Sequence, residues 1–405
     1  MAANKTEQLI EQESQICAHN YHPLPVVLAK GQGVWVWDIE DKKYIDMMSA
    51  YSALSHGHAH PKIIATLTKQ AEQLSIVSRA FYTETLAPFL KKLCDITQLD
   101  CALPMNTGAE AVETAIKAAR RWGYQIKKIP DNQAEIIVAA NNFHGRTTTI
   151  ISFSSEKDYQ KDFGPFTPGF KIVPFGDAKA LEQAITPNTC AILLEPIQGE
   201  AGIVIPSTGY LSKVADLAKS NRVLLIMDEI QSGLGRTGKW FAYQHDNIQP
   251  DGVIMGKALG GGVYPVSAFV GKKAVMDLFT PGSHGSTFGG NALASAIGLA
   301  ALNSLESEQL IENSAKLGDY FLSQLRQLSY PWIKAIRGKG LWIGLEVDGQ
   351  MVSARELCLK LLVEGVLTKE THDTVIRFAP PLIINQNDLD WALNKIFMVF
   401  DTVYR

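Results

Sequence analysis

The chain of 405 residues has little cysteine and no long uninterrupted apolar run. Its five cysteines are odd in number and scattered without metal-like spacing, which favours reduced thiols and excludes a disulfide framework. No apolar run is long enough to span a bilayer. The polar N-terminal residues lack the apolar core of a signal peptide and the arginine-rich character of a transit peptide. We therefore expect a cytoplasmic protein without a membrane partner.

An excess of charge of either sign is also missing. Lysine and arginine total 38 residues against 41 acidic residues, and the formal net charge is −3. Without a basic surface, nucleic acid is not an expected partner. Hydrophobic residues make up 46% of the chain, enough to bury one large core or two moderate ones.

Three apolar segments typical of buried strands each deliver one ionisable residue. AILLEP, LLIMDE and GVIMGK place Glu195, Asp228 and Lys257 at or just beyond the end of a run. Ligands bind at the carboxyl ends of strands in open α/β sheets, so these side chains are expected to meet. A lysine there can form a Schiff base with a carbonyl cofactor, and a buried aspartate can keep a pyridinium nitrogen charged. The combination indicates pyridoxal phosphate; the alternative is a solvated lysine and an aspartate that caps a helix or forms a salt bridge.

Strand-like and helix-like segments alternate along most of the chain, which predicts an α/β fold with a mostly parallel sheet between helices. The pattern changes after about Ala294, where a smaller α+β domain is expected. Residues 1–50, which include a predicted hairpin, are expected to pack with that small domain. Residues 51–293 would form the large cofactor-binding domain, and residues 294–405 the small one.

Two segments could bind a phosphate group. Thr107 precedes a predicted helix and Glu110 completes a capping-box pattern, so the free N–H groups at this helix start favour an anion. Ordinary capping is the alternative. The segment GSTFGG offers the hydroxyl groups of Ser286 and Thr287, or it is a plain loop.

Side chains for a substrate and a cofactor ring follow other strands. Phe143 and Arg146 come after the strand that ends near Ala140, and Arg377 lies within the apolar run VIRFAPP. An aromatic ring can stack on a pyridine, and arginine binds carboxylates through two parallel hydrogen bonds. Structural ion pairing is the alternative for both arginines.

Three further sequence patterns are only weak evidence for a binding site. GLGRTGK, at residues 233–239, has the spacing of a phosphate loop, but Trp240 stands where a magnesium-binding hydroxyl is needed. His56, His58 and His60 alternate without an acidic or cysteine ligand, so no metal site is expected. GKGLWIG is not followed by a helix, which argues against a dinucleotide site.

The segments NTGAEAVE, DEIQSGLGRTG, GKALGGG and STFGGN together resemble the class III (ω-amino) pyridoxal-phosphate-dependent aminotransferases, from about Tyr21 to Arg377. The resemblance implies the aspartate-aminotransferase-like fold, fold type I. NYHPLPVVL, SAYSAL, EPIQGEAG and RFAPPL are most similar to members that transfer the terminal amine of L-ornithine to 2-oxoglutarate. Acetylornithine and 4-aminobutyrate aminotransferases share FHGR and the Lys–Asp pair, and an aminomutase on the same fold is a more remote alternative.

The resemblance also implies roles for single residues. Lys257 would be the Schiff-base lysine and proton shuttle, Asp228 would pair with the ring nitrogen, and Glu195 would pair with Arg377 until a dicarboxylate binds. Thr287 would reach the phosphate of a second subunit, so at least a homodimer is expected. The implied cofactor contacts are Thr107, Gly108, Ala109, Phe143, Asp228, Gln231, Lys257, Ser286 and Thr287. The implied substrate contacts are Tyr21, Tyr51, Arg146, Glu195 and Arg377.

Overall fold

The computed structural model describes residues 5–404, which form three sheets flanked by helices. The first sheet contains the strands β1 (Leu28–Gln32), β2 (Trp35–Asp38), β3 (Lys43–Asp46) and β13 (Val366–Leu367). The predicted hairpin is β2–β3, and β3 pairs in parallel with β13 in the order β1-β2-β3-β13. This sheet therefore joins the N-terminal part of the chain to its C-terminal part.

The second sheet is the largest and has seven strands. They are β4 (Cys101–Met105), β5 (Glu135–Ala139), β6 (Phe170–Val173), β7 (Thr189–Leu194), β8 (Leu224–Asp228), β9 (Gly252–Met255) and β10 (Ser267–Gly271). Their order is β4-β10-β9-β8-β7-β5-β6, and only β10 runs antiparallel to its neighbours. The predicted mostly parallel α/β sheet is confirmed.

The third sheet is antiparallel and lies in the C-terminal part of the chain. It contains β11 (Ile333–Gly338), β12 (Ile343–Val347), β14 (Lys369–Thr371) and β15 (Val375–Phe378), in the order β11-β12-β15-β14. Strand β15 carries Arg377.

Helices connect the strands. They are α1 (Lys5–Ile16), α2 (Ser49–Ser52), α3 (Pro61–Gln73), α4 (Leu86–Thr97), α5 (Gly108–Trp122), α6 (Thr148–Ile151), α7 (Lys157–Gln160), α8 (Ala178–Ala184), α9 (Tyr210–Ser220), α10 (Lys273–Met276), α11 (Ala292–Ser307), α12 (Leu310–Leu325), α13 (Ala354–Val363) and α14 (Gln386–Tyr404). Among the longer helices, α5 begins at a side-chain cap formed by Thr107 and α11 at one formed by Asn291.

The centre of the large sheet is completely buried. Every residue of β7, β8 and β9 is buried, as expected for parallel strands covered on both faces. Each fully buried aliphatic side chain contributes about 1.5–3 kcal/mol relative to an exposed one. These three strands therefore form a rigid base, and the carboxyl edge of that base holds Glu195, Asp228 and Lys257.

The alternating histidines have separate protein partners. The Nε2 atoms of His58 and His60 contact the carboxylates of Asp46 and Glu308, and that of His56 contacts a backbone oxygen. Across residues 5–404 no cluster of three His, Cys, Asp or Glu side chains could hold a metal ion. Within the same residues, no helix is both long and apolar enough to cross a bilayer.

Candidate active site

Lys257 lies at the end of β9, where a cavity opens at the carboxyl edge of the large sheet. Gly256 separates the strand from a 3₁₀ turn that begins at Lys257. The lysine has a φ of +45°, a left-handed conformation that is costly for a residue with a side chain. Burial lowers the pKa of its ammonium group, and the opposing attraction of Glu200 does not cancel this effect. The lowered pKa increases the fraction of neutral amine, the form that a nucleophile or proton acceptor requires.

The cavity brings most of the predicted cofactor contacts together. Its lining includes Lys257 with Gly108, Ala109, Phe143, His144, Glu195, Asp228 and Gln231. Because β7, β8 and β9 are adjacent and parallel, their carboxyl ends deliver the three ionisable residues to one place.

Asp228 is the last residue of β8 and is buried. One carboxylate oxygen accepts a hydrogen bond from the backbone N–H of Ile230 at 3.0 Å, and the other contacts Nδ1 of His144 at 2.6 Å. Burial lowers the pKa of His144, but its contact with Asp228 outweighs burial and raises it overall. The contact with His144 and the hydrogen bond from Ile230 together fix the orientation of the Asp228 carboxylate in the cavity.

Glu195 follows β7 and faces the same cavity. One carboxylate oxygen accepts a hydrogen bond from the backbone N–H of Phe143 at 3.0 Å. Burial raises the pKa of Glu195 to about 7, against the opposing effect of His144. This carboxyl group therefore titrates near neutral pH within the cavity.

A second buried carboxyl group, Glu229, predicts how stability depends on pH. Burial raises its pKa from 4.5 to about 7, although Ser232 and the Tyr243 N–H donate hydrogen bonds to it. The unfolded chain releases this proton first, so the contribution to stability is complete below about pH 4.5 and is lost as the pH rises to about 7. Glu229→Gln should reduce the loss of stability between about pH 5 and about pH 8 by on the order of 1–3 kcal/mol.

Thermal midpoints at several pH values would measure this effect. Glu72→Gln, at an exposed position, is the control and should leave the pH dependence of the wild type unchanged. Identical pH profiles for Glu229→Gln and the wild type would contradict the assignment of the raised pKa to Glu229.

The start of α5 has backbone donors available for an anion. The Thr107 hydroxyl accepts from the Glu110 N–H at 3.2 Å, and the Glu110 carboxylate accepts from the Thr107 N–H at 2.7 Å, so the predicted capping box is present. Within residues 5–404, the N–H groups of Gly108 and Ala109 donate no hydrogen bond. Both residues line the cavity, where the helix dipole favours negative charge.

Ser286 and Thr287 lie elsewhere in the chain. They line a separate pocket with Ser78 and Arg79. The Ser286 hydroxyl accepts a hydrogen bond from the Asn106 amide at 2.9 Å. A single chain therefore does not bring Thr287 into the Lys257 cavity.

The predicted pairing of Glu195 with Arg377 was wrong. Nη1 of Arg377 lies 2.8 Å from Oε1 of Glu200, and both side chains are largely buried. Burial raises the pKa of Glu200, but Arg377 and Lys257 outweigh it and hold the pKa below its usual value. The Glu200 carboxylate therefore remains ionised at neutral pH and masks the Arg377 cation.

The path of the chain after β7 explains the correction. Glu195 stays at the sheet edge, whereas the chain then forms a tight turn in which Gln198 bridges Val204, with Glu200 within the turn. The Glu200 carbonyl accepts a hydrogen bond from the Thr371 hydroxyl of β14 at 2.7 Å, which fixes the turn beside the third sheet. A side chain at Gly199 would collide with the amide of Gln231, so this close approach requires glycine.

Tyr51 lies in α2, which is a single left-handed turn beside Arg377. The four consecutive residues Ser49–Ser52 all have positive φ values, and none is glycine. A left-handed conformation costs about 1–2 kcal/mol for each such residue. The turn places the Tyr51 ring centroid 4.9 Å from Cζ of Arg377 and 6.0 Å from Nζ of Lys257. Tyr51 therefore connects the masked arginine to the reactive lysine.

Arg146 is not a member of the Glu200–Arg377 ion pair. Its guanidinium carbon lies 3.5 Å from the ring centroid of Tyr159 and 5.5 Å from that of Phe143, in cation–π contact with both rings. Arg146 is solvent-exposed and free of any acidic ion-pair partner within residues 5–404, so it remains available to a carboxylate.

Tyr21, another predicted substrate contact, is 77% exposed in the single chain.

The Aminotransferase class-III family model matches residues 16–400. The chain belongs to the class-III aminotransferases. Its sequence is 57% identical over 396 residues to the ornithine aminotransferase of Brevibacillus brevis, covering 98% of each protein. Among solved structures, it is similar to the ornithine aminotransferase of Toxoplasma gondii, with a TM-score of 0.97 and 44% identity over 98% of this chain and 95% of that one. The acetylornithine aminotransferase of Elizabethkingia anophelis also matches, with a TM-score of 0.90 and 44% identity over 99% of this chain and 100% of that one.

The residues of this class-III aminotransferase fit pyridoxal phosphate, the cofactor of the family. The free N–H groups of Gly108 and Ala109 suit its phosphate, and the aromatic ring of Phe143 suits its planar ring. Asp228 is a buried carboxylate for the ring nitrogen, and Lys257 is an amine for the aldehyde. The T. gondii relative holds this cofactor at partial occupancy in its active site.

Three residues of the site were missed by the sequence analysis. Glu200 stands in EPIQGEAG, where the glycines on either side indicate a turn that carries an acidic residue. His144 directly follows Phe143, and its pairing with Asp228 depends on the adjacency of two distant segments. No local signal identifies Tyr159, which contacts Arg146 from a separate short helix.

Proposed function

We propose that the chain is an ornithine δ-aminotransferase, which moves the terminal amine of L-ornithine to 2-oxoglutarate. The Glu200–Arg377 ion pair carries the proposal, because it leaves one cation masked while Arg146 is available. Ornithine carries one carboxylate and 2-oxoglutarate carries two, so the site must offer one anchor to the first and two to the second. The names of the relatives, ornithine aminotransferases, support ornithine as the amine donor.

In the donor half of the reaction, the masked Arg377 disfavours a pose that would bring the α-carbon of ornithine to the lysine. Arg146 binds the α-carboxylate instead, and the δ-carbon lies near Nζ of Lys257. Pyridoxal phosphate, when bound, supplies an electron sink for the charge that develops on the substrate carbon. Lys257 removes the proton from the δ-carbon, and Asp228 holds the proton on the ring nitrogen. The product is glutamate semialdehyde, which cyclises to pyrroline-5-carboxylate.

In the acceptor half, 2-oxoglutarate presents two carboxylates. One binds Arg146 and the other displaces Glu200 from Arg377, so the second cation becomes an anchor only for a dicarboxylate. Lys257 then moves the proton in the opposite direction, and glutamate leaves. Tyr51 lines the pocket between Lys257 and Arg377 in both halves.

We also propose a cytoplasmic homodimer. A second copy that supplies Thr287 would complete the phosphate-binding site at Gly108 and Ala109, since Thr287 lies outside the Lys257 cavity of its own chain. All five cysteines are free thiols, as is typical of a reducing compartment. Sedimentation of the active species would test the assembly, and an active monomer would contradict it.

The visible absorbance of the purified holoenzyme tests the substrate assignment. L-Ornithine added without an oxoacid should bleach the cofactor band, and 2-oxoglutarate should then restore it. N-Acetylornithine and 4-aminobutyrate keep a carboxylate for Arg146 but lack the charged α-amine of ornithine. They should react at least roughly 10-fold more slowly, because a lost hydrogen bond to a charged group costs about 1.5–3 kcal/mol. A band that ignores ornithine but responds to either of the other amines would reassign the substrate within the family.

A further inference from the structure

The turn that carries Tyr51 needs support from outside its own backbone. Ser49–Ser52 have φ values of +43°, +47°, +58° and +72°, a run that residues with side chains do not adopt unaided. The Asp46 carboxylate accepts hydrogen bonds from the N–H groups of Met48 and Ser49 at 2.9 and 2.8 Å, which holds the entry to the turn. The rest of the turn is held by a residue that the mechanism does not use.

That residue is Arg236, within the GLGRTGK segment that only superficially resembles a phosphate loop. Its side chain is completely buried. Nη2 donates to the hydroxyls of Ser49 and Ser55, both at 3.1 Å. Nη1 donates to the carbonyls of Leu341 at 2.9 Å and Pro380 at 2.6 Å. One guanidinium group therefore joins the Tyr51 turn to two segments from the C-terminal part of the chain.

The same C-terminal segment follows Arg377. The Ser49 hydroxyl donates to the carbonyl of Ala379 at 2.6 Å, and the N–H of Leu382 donates to the carbonyl of Ser55 at 2.7 Å. The turn and the strand that carries Arg377 are thus fixed to each other. The planar fork of a guanidinium suits this task, because it directs its donors to two sides at once.

We propose that Arg236 is a positioning residue for donor selection: it fixes the left-handed turn so that Tyr51 stays between Lys257 and the masked Arg377. This inference rests on the proposed function. Ornithine depends on the pocket shape that Tyr51 defines, whereas a dicarboxylate is anchored by two cations. Loss of the clamp should therefore weaken the reaction with ornithine more than the reaction with glutamate.

Arg236→Lys and Ser49→Ala each remove part of the clamp without altering a residue that lines the Lys257 cavity. For each, the rate of the cofactor absorbance change over a range of amine concentrations gives kcat, KM and their ratio for ornithine and for glutamate. The ornithine-to-glutamate ratio should fall roughly 3- to 10-fold, through KM rather than kcat, because the lost interaction acts on binding. The ornithine-to-glutamate ratio of the double variant should be no lower than that of the more affected single variant, because both substitutions remove the same contact.

Ser314→Ala is the matched control. The buried Ser314 hydroxyl donates to the backbone carbonyl of Arg236 at 2.9 Å and accepts from the Leu341 N–H at 3.2 Å, so its loss disturbs the same region but not the guanidinium. Its ratio should remain that of the wild type. If Arg236→Lys does not fold, Ser49→Ala and Ser55→Ala supply the same comparison.

An unchanged ornithine-to-glutamate ratio in Arg236 and Ser49 variants that retain the cofactor band would overturn the proposed role of Arg236. An equal change of the ratio in Ser314→Ala would overturn it as well. Wild-type enzyme that ignores ornithine but reacts with another ω-amine would instead overturn the substrate assignment. The clamp would then be judged by the ratio of that amine to glutamate.

Discussion

Lys257→Ala should lower the rate of amine transfer from ornithine by at least about 10⁴-fold, because it removes both the covalent anchor for the cofactor and the base at the substrate carbon. The lysine lies at the end of β9 in the cavity that Asp228 and Phe143 line. Turnover measured with saturating pyridoxal phosphate would separate the loss of chemistry from a loss of cofactor. The visible band of the holoenzyme should shift at the same time, since the aldehyde has no lysine partner.

Two further variants sharpen this test. Lys257→Arg introduces a guanidinium group that stays protonated and supplies no neutral amine at working pH, so it should be as inactive as the alanine variant. Lys273→Ala removes an exposed lysine that pairs with Asp277, and it should retain wild-type turnover. Multiple turnovers by Lys257→Ala would refute the assignment of the reactive lysine.

Glu200→Ala should raise the glutamate-to-ornithine rate ratio roughly 10- to 100-fold, because a hydrogen bond to a charged group is worth about 1.5–3 kcal/mol. Without Glu200 the Arg377 cation is unmasked, so a dicarboxylate no longer has to displace an anion. Ornithine can then also bind Arg377 through its α-carboxylate, and its α-amine should begin to react. Half-reaction rates and product analysis would measure both effects.

Glu195→Gln provides the contrasting variant. Glu195 accepts from the Phe143 N–H and makes no ion pair with Arg377, so its replacement should change both half-reactions without raising the ratio in favour of glutamate. A ratio that responds to Glu195→Gln but not to Glu200→Ala would restore the pairing predicted from the sequence. The difference between Glu200→Ala and the wild type should not depend on pH near neutrality, because Arg377 and Lys257 hold the pKa of Glu200 in the wild type below its usual value.

Much of the site follows from short segments of the chain. Thr107 and Glu110 are three residues apart, so the capping box depends only on local helix geometry. The apolar runs that end near Asp228 and Lys257 predict buried parallel strands, and parallel strands place their carboxyl ends at one edge. The predicted lysine, the predicted aspartate and the predicted anion-binding start of α5 therefore share one cavity.

Other contacts could not be read from local pattern. Both Glu195 and Glu200 stand in EPIQGEAG, and only the path of the following turn decides which of them reaches Arg377. The pair of His144 with Asp228 joins residues 84 positions apart. Nothing in SAYSAL predicts a left-handed turn, because that conformation is imposed by contacts with Arg236 and the C-terminal segment.

The sequence by itself determined the α/β class, the family, the cofactor chemistry and the strand ends that carry it, since hydrophobic periodicity and caps act over a few residues. The tertiary structure alone decided that Glu200 masks Arg377, that His144 supports Asp228 and that Arg236 fixes Tyr51. Each of these contacts joins segments distant in the chain, and its partner is selected by packing and burial among several residues of suitable charge.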